Sequence, residues 1–193
     1  FINSPRARLF GGEAEYRTRF ELGVNEWFKR REWMFSVNYT YTNSEIQVKA
    51  GDVVINPFSG LPQDAAAYGL DGAPLQGTPT HIANTQIGWE GERDQFTVLF
   101  GWLSERILQR GSPTDGGGII PDIVEKPGAQ LDVVYRYNID LFRTPFTIGL
   151  SARNLLATQH QEFQRSGATE SGRTDFYTYD RGRSLSASVT ASF

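Results

Sequence analysis

The chain of 193 residues has no cysteine, which excludes a disulfide scaffold and any thiolate metal site. It also lacks an excess of one charge: 19 basic residues stand against 22 acidic ones, for a net charge of −3, with no Lys/Arg-rich block. The electrostatic footprint of a nucleic-acid partner is therefore missing. Long apolar runs are absent too. A stretch such as Thr97-Val-Leu-Phe-Gly-Trp-Leu103 falls far short of the roughly 20 residues that a membrane-crossing helix needs. Strands whose alternate residues meet lipid escape that test, so a polar average remains compatible with a membrane. Histidine is scarce: there are two, His81 and His160. Neither is spaced from another His, Asp or Glu as a metal site would be, and no Ser or Asp can be paired with them in a catalytic arrangement. Neither a metal nor a cofactor is expected, and the chain reads as non-enzymatic. Ser112-Pro-Thr-Asp-Gly-Gly-Gly118 lacks the alternating carboxylates of a calcium loop and opens no helix, so it is read as a loop tip. The start, Phe1-Ile-Asn-Ser-Pro-Arg6, has no Met, no basic region and no apolar export core; the expectation is a fragment whose signal lies upstream.

What the chain does have is period-two alternation. From Glu13 to Leu22 one face carries Ala14, Tyr16, Thr18, Phe20 and Leu22, and the other Glu13, Glu15, Arg17, Arg19 and Glu21. A helix would scramble these two sets. The same pattern recurs with Trp33, Phe35, Val37, Tyr39 and Tyr41, then with Ala83, Thr85, Ile87 and Trp89. It returns with Phe96, Val98, Phe100 and Trp102, weakening towards Leu108. Leu131, Val133, Tyr135 and Tyr137 form a fifth run, Phe146, Ile148, Leu150 and Ala152 a sixth. The seventh is terminal, Ser184-Leu-Ser-Ala-Ser-Val-Thr-Ala-Ser-Phe193. Seven strands are predicted, and no helix.

The links between them alternate in length. Short ones follow the first, third and fifth strands, at Asn25 to Glu32, Gly91 to Gln95 and Asn138 to Pro145. Long ones follow the others, from about Gln47 to Pro79, Gly111 to Gly128 and Ser166 to Arg173. Short periplasmic turns set against long extracellular loops are the habit of outer-membrane barrels. The fold class expected is all-β, an antiparallel up-and-down transmembrane barrel, with residues 1–193 forming part of one barrel domain. With the terminal Phe193 at the periplasmic edge, Phe20, Trp33, Trp89, Phe96, Tyr135, Tyr137 and Phe146 gather near the short links as an inner aromatic belt. Tyr39, Tyr41 and Trp102 gather at the other end, and Tyr177 and Tyr179 are placed with them. Arg181 and Arg183 share the parity of Leu185 and are expected at the outer rim. The row Glu13, Glu15, Arg17, Arg19 and Glu21 would face the lumen, where mixed charges can pair.

Four stretches look like a known family in the same order. They are Asn38-Tyr-Thr-Tyr-Thr-Asn-Ser44, Pro79-Thr-His-Ile-Ala-Asn-Thr-Gln-Ile-Gly-Trp89, Ala152-Arg-Asn-Leu-Leu156, and Gly182-Arg-Ser-Leu185 leading to Phe193. Together they resemble the C-terminal barrel segment of TonB-dependent outer-membrane receptors. That resemblance implies the last third of a barrel with 22 strands around a plugged lumen. It implies active import of a scarce ligand, namely an iron-siderophore chelate, haem, cobalamin or a saccharide. The partners implied are outer-membrane lipid and lipopolysaccharide, the protein's own N-terminal plug, and the TonB complex through the N-terminal part. The location implied is the bacterial outer membrane. Plug and coupling box are not in this sequence.

The long link from Gln47 to Pro79 offers Phe58, Tyr68 and Asp71 as candidate ligand contacts, among Pro and Gly turns. Two other readings stay open at this point. One is a soluble or surface-displayed β-sandwich binding or adhesion protein, whose alternating faces form a core. The other is an outer-membrane barrel enzyme dependent on His81 or His160.

Overall fold

A computed structural model describes residues 6–56, 60–112, 114, 118–141, 144–166 and 172–191. Phe58 and Phe193 lie outside the described residues. In chain order the elements are β1 (Arg6–Glu21), the one-turn helix α1 (Glu26–Lys29), β2 (Arg31–Gln47), β3 (Val53–Ile55) and β4 (Pro62–Asp64). A 3₁₀ turn (Ala65–Tyr68) precedes β5 (His81–Gly91), β6 (Asp94–Leu103), β7 (Arg106–Gln109), β8 (Ile123–Lys126) and β9 (Gly128–Leu141). The chain continues with β10 (Thr144–Arg153), β11 (Gln159–Arg165), β12 (Arg173–Asp180) and β13 (Ser184–Ala191). The protein is all-β with antiparallel sheets.

The seven runs of alternation are the seven strands of the larger sheet, ordered β1-β2-β5-β6-β9-β10-β13. Each strand hydrogen-bonds to its sequence neighbour within that sheet, so it is an up-and-down meander. The registers put like faces together. One row reads Phe20, Trp33, Trp89, Phe96 and Tyr135 across five strands, and continues through Leu150 to Ala187. A one-residue slip in any pair would break this row by sending half of it to the other face.

The second sheet was not expected from the sequence. Its order, β12-β11-β8-β7, repeats that of β13-β10-β9-β6. Each of these strands is the prolongation of a wall strand past a short interruption. Pro127 has no N–H for the ladder and Gly128 sits at φ 72°, which separates β8 from β9. Asn154 and Ala157 adopt φ 53° and 54° between β10 and β11, and Gly182 adopts φ 67° between β12 and β13. Four strands of the larger sheet thus continue at its long-link end, each after an interruption. The absence of helix also needs a small correction: Asn25 accepts hydrogen bonds from the backbone of Trp27 and Phe28 and caps α1 inside the first short link.

Very little of the protein has an interior. Phe163 is the one large side chain fully buried among the described residues, while Leu150, Leu185 and Val189 on the apolar face are 48%, 78% and 69% exposed. A compact apolar cluster does exist, but it belongs to the first long link: Val54, Ala65, Tyr68 and Leu70 pack there with Ile46 at the end of β2.

Candidate functional site

The sheet's two faces divide the chemistry. On the apolar face the aromatic row near the short links is tightly joined, with Trp33 5.0 Å from Trp89 and Trp89 stacked on Phe96 at 4.4 Å. Asp94, at its edge, accepts from the Trp89 indole at 3.0 Å and from Arg31 at 2.9 and 3.0 Å. The Arg31 guanidinium lies 3.9 Å over the ring of Trp27. At the other end of the same face His81 joins the tyrosines: its Nδ1 is 2.7 Å from the Tyr39 hydroxyl, and its ring lies beside those of Tyr41 and Trp102. The eight steps from Trp33 to Tyr41, at about 3.4 Å each, measure about 27 Å along the strand, or about 21 Å at a tilt of ~40°.

The opposite face is polar and concave, and a hollow of about 620 Å³ opens on it. Glu13, Glu15 and Arg17 from the first strand line this hollow, as three of the five residues read from the sequence as one inward row. Arg17 donates to Glu15 at 2.5 Å, and Asn38 donates to Glu13 at 2.5 Å. Arg19 pairs instead with Glu32 at 3.1 Å, below the hollow. Glu21 stands opposite the same Glu32 in register. Sequence reasoning missed the remaining lining: Asn84, Gln86, Gln130, Asp132, Asn154 and Thr158. Their signal was available, since Asn38, Asn84, Gly101 and Gln130 form one register row with Glu15.

Asn154 is the structural hub of the upper rim. It is 8% exposed, and its amide donates to the Gly182 carbonyl at 2.7 Å while its Oδ1 accepts from the Thr158 N–H at 3.0 Å. Its own N–H donates to Asp132 at 2.9 Å, and Thr158 Oγ1 donates to the Ala129 carbonyl. Its side chain thereby ties the β10–β11 connection to the β12–β13 connection, and its backbone N–H ties both to β9.

Above the hollow, the second sheet contributes a second set of groups. Arg181 both lines the hollow and donates to His160 Nδ1 at 3.1 Å. His160 Nε2 is 2.6 Å from Glu162, and Glu125, which accepts from Arg106 at 2.7 Å, is 3.7 Å from its other nitrogen. The rings of Tyr179 and Tyr177 lie 4.8 and 6.3 Å from that of His160. Two expectations are corrected here. Arg181, expected at the outer rim with the parity of Leu185, stands at the long-link end, but the left-handed turn at Gly182 breaks that parity and Arg181 lines the polar hollow. Tyr177 and Tyr179, expected in the outer belt, belong to β12 and gather around His160 beside Arg181. Arg183 donates to the Leu155 carbonyl at 3.0 Å.

No family model, no curated protein and no solved structure matches the chain. The site must therefore be read from its own chemistry. No group of three His, Asp or Glu side chains able to hold a metal ion occurs among the described residues. The side-chain nitrogens of the two histidines meet Tyr39, Glu162, Arg181 and Glu125, and no serine or threonine hydroxyl is among these partners. In the first long link, Tyr68 is 4% exposed and donates to Gln63 at 2.9 Å. The Asp71 carboxylate receives the Val48 N–H at 2.9 Å. Tyr68 is part of the loop's own core, whereas Asp71 is exposed and braces the loop through that backbone bond.

Proposed function

We propose that this chain is the C-terminal wall of a TonB-dependent outer-membrane transporter, in which further strands complete a barrel of 22 and an N-terminal plug fills the lumen. The observation that carries this reading is the continuous apolar face of the larger sheet, bordered by an aromatic row near the short links and an aromatic group near the long ones. Aqueous solution penalises such a face, whereas a bilayer rewards it, and indole and phenol rings favour the two interfaces. The two edges support closure by more chain: among the described residues β1 pairs only with β2 and β13 only with β10, and unpaired ladder groups are not tolerated in hydrocarbon. All the additional strands stand at the long-link end, which is the extracellular end in this orientation. The polar row with Glu13, Glu15, Arg17, Arg19 and Glu21 then faces the plug and the ligand path. Import, rather than passive leakage, follows from the plug and from coupling to the inner-membrane complex through the N-terminal part.

The deciding experiment is the intact mass of the native protein extracted from outer membranes and identified by peptides of this segment. A mass several times 21.6 kDa is expected. A native mass near 21.6 kDa, or recovery in the soluble fraction, overturns the proposal.

A further inference from the structure

Beside the hollow, and joined to it through Arg181, the second sheet carries recognition chemistry that the transport reading does not specify. Tyr177 and Tyr179 leave 57% and 44% of their surface exposed, with rings 5.4 Å apart. They are held from behind by His160, itself fixed between Glu162 and Arg181. Two aromatic faces are thus presented on a rigid base at the border of a hollow lined by amides and carboxylates. The hollow's own charges are Glu13, Glu15 and Asp132 against Arg17 and Arg181. That balance leaves no cationic surplus to attract an anion.

We infer that this vestibule binds a neutral oligosaccharide, with Tyr177 and Tyr179 as the stacking platform and Asn84, Gln130 and Arg181 as hydrogen-bonding partners for hydroxyl groups. The chemistry matches at each point. Pyranose rings present C–H groups that settle on aromatic faces. Asn and Gln amides offer a donor and an acceptor side by side, which suits adjacent hydroxyls. Asn84 stands one strand away from Gly101, whose missing side chain keeps the row between Asn84 and Gln130 open. A ferric tris-catecholate carries net negative charge and would call for a cationic vestibule, which these residues do not form. The inference rests on the transporter reading, since it takes the concave face as the ligand path.

The test uses the full-length protein purified from outer membranes in detergent, titrated calorimetrically with maltohexaose, cellohexaose, xylohexaose and a ferric tris-catecholate. Binding of at least one neutral hexasaccharide is expected. Tyr177→Ala should weaken it by about tenfold, whereas Tyr177→Phe, which keeps the ring, should stay within about threefold. Asn84→Ala should weaken it as well. Tyr177 is exposed, so its truncation spares the fold, and unchanged heat-modifiable migration in gels checks this. Three results overturn the inference: no hexasaccharide binds, one binds but is indifferent to Tyr177→Ala and Asn84→Ala, or the ferric chelate is the ligand bound. Each of these leaves the transporter reading standing if the protein is a large outer-membrane species. A protein absent from that membrane sinks the transporter reading itself.

Discussion

Asn154 shows how much a single side chain contributes where the sequence pattern is silent. It adopts φ 53°, a conformation that costs most residues about 1 kcal/mol, and its amide meets partners on both sides. Replacing it with alanine removes these hydrogen bonds and keeps the backbone cost. Asn154→Ala is expected to destabilise the folded protein by about 2–3 kcal/mol, and Asn154→Gly by less, because glycine accepts that φ freely. Urea unfolding of the refolded protein in detergent micelles measures both, and a glycine variant no better than the alanine one would contradict the account. In the sequence, Asn154 was legible only as part of the stretch Ala152-Arg-Asn-Leu-Leu156, where resemblance marked it without explaining it. Its role depends on Gly182, 28 residues away in sequence, and no local pattern encodes that distance.

Among the elements, the strands of the larger sheet were legible and their prolongations, apart from the weakening alternation towards Leu108 in β7, were not, for one physical reason. Period-two alternation is visible only where one face is apolar. In β10, Phe146, Ile148, Leu150 and Ala152 alternate with polar or small residues, and the strand declares itself. In β11 both faces are polar except at the buried Phe163, whose ring lies under the guanidinium groups of Arg165 and Arg173 at 4.7 and 4.2 Å. Such a strand reads as loop. The misplacement of Arg181 has the same origin, because parity can be carried along a strand but not through a left-handed turn. Pairing between wall strands makes its own prediction. A Cβ on Gly88 would come within 2.2 Å of the Phe96 carbonyl on the adjacent strand, whereas Gly12 has nothing within 4 Å. Gly88→Ala is therefore expected to cost at least about 2 kcal/mol by forcing β5 and β6 apart. Gly12→Ala should be neutral or stabilise by about 0.5 kcal/mol. Side-by-side thermal or urea transitions compare them, and equal tolerance at both sites would rule out the close approach.

At the scale of the whole molecule, the two faces of the larger sheet should answer differently to the same charge. Leu150 lies on the apolar face, six residues past the start of β10 at its short link, and Gln86 lies on the polar one. A lysine at position 150 is expected to lower the stability of the inserted protein by about 2–4 kcal/mol if it meets the bilayer midplane, whereas Gln86→Lys should change it little. Folding yield into phosphatidylcholine vesicles, followed by protease protection, reads the difference; equal yields would mean that the apolar face does not meet lipid. The up-and-down order of the larger sheet has a further consequence, for the route by which it forms. Every wall strand pairs with its immediate wall neighbours along the chain, and three of the connections are short. No strand has to wait for a distant partner to be threaded between two others, so loop-closure entropy can be met one hairpin at a time. Assembly can then proceed as successive additions at an open border, in which each hairpin offers the next one a template. In the barrel proposed above, the last pairing to form is the one that joins β13 to the strand that closes the wall, and until then that border stays reactive towards any extended chain nearby. A protein organised in this way has a dangerous final step rather than a dangerous first one, and a helper that shields the β13 border would act at the moment of closure.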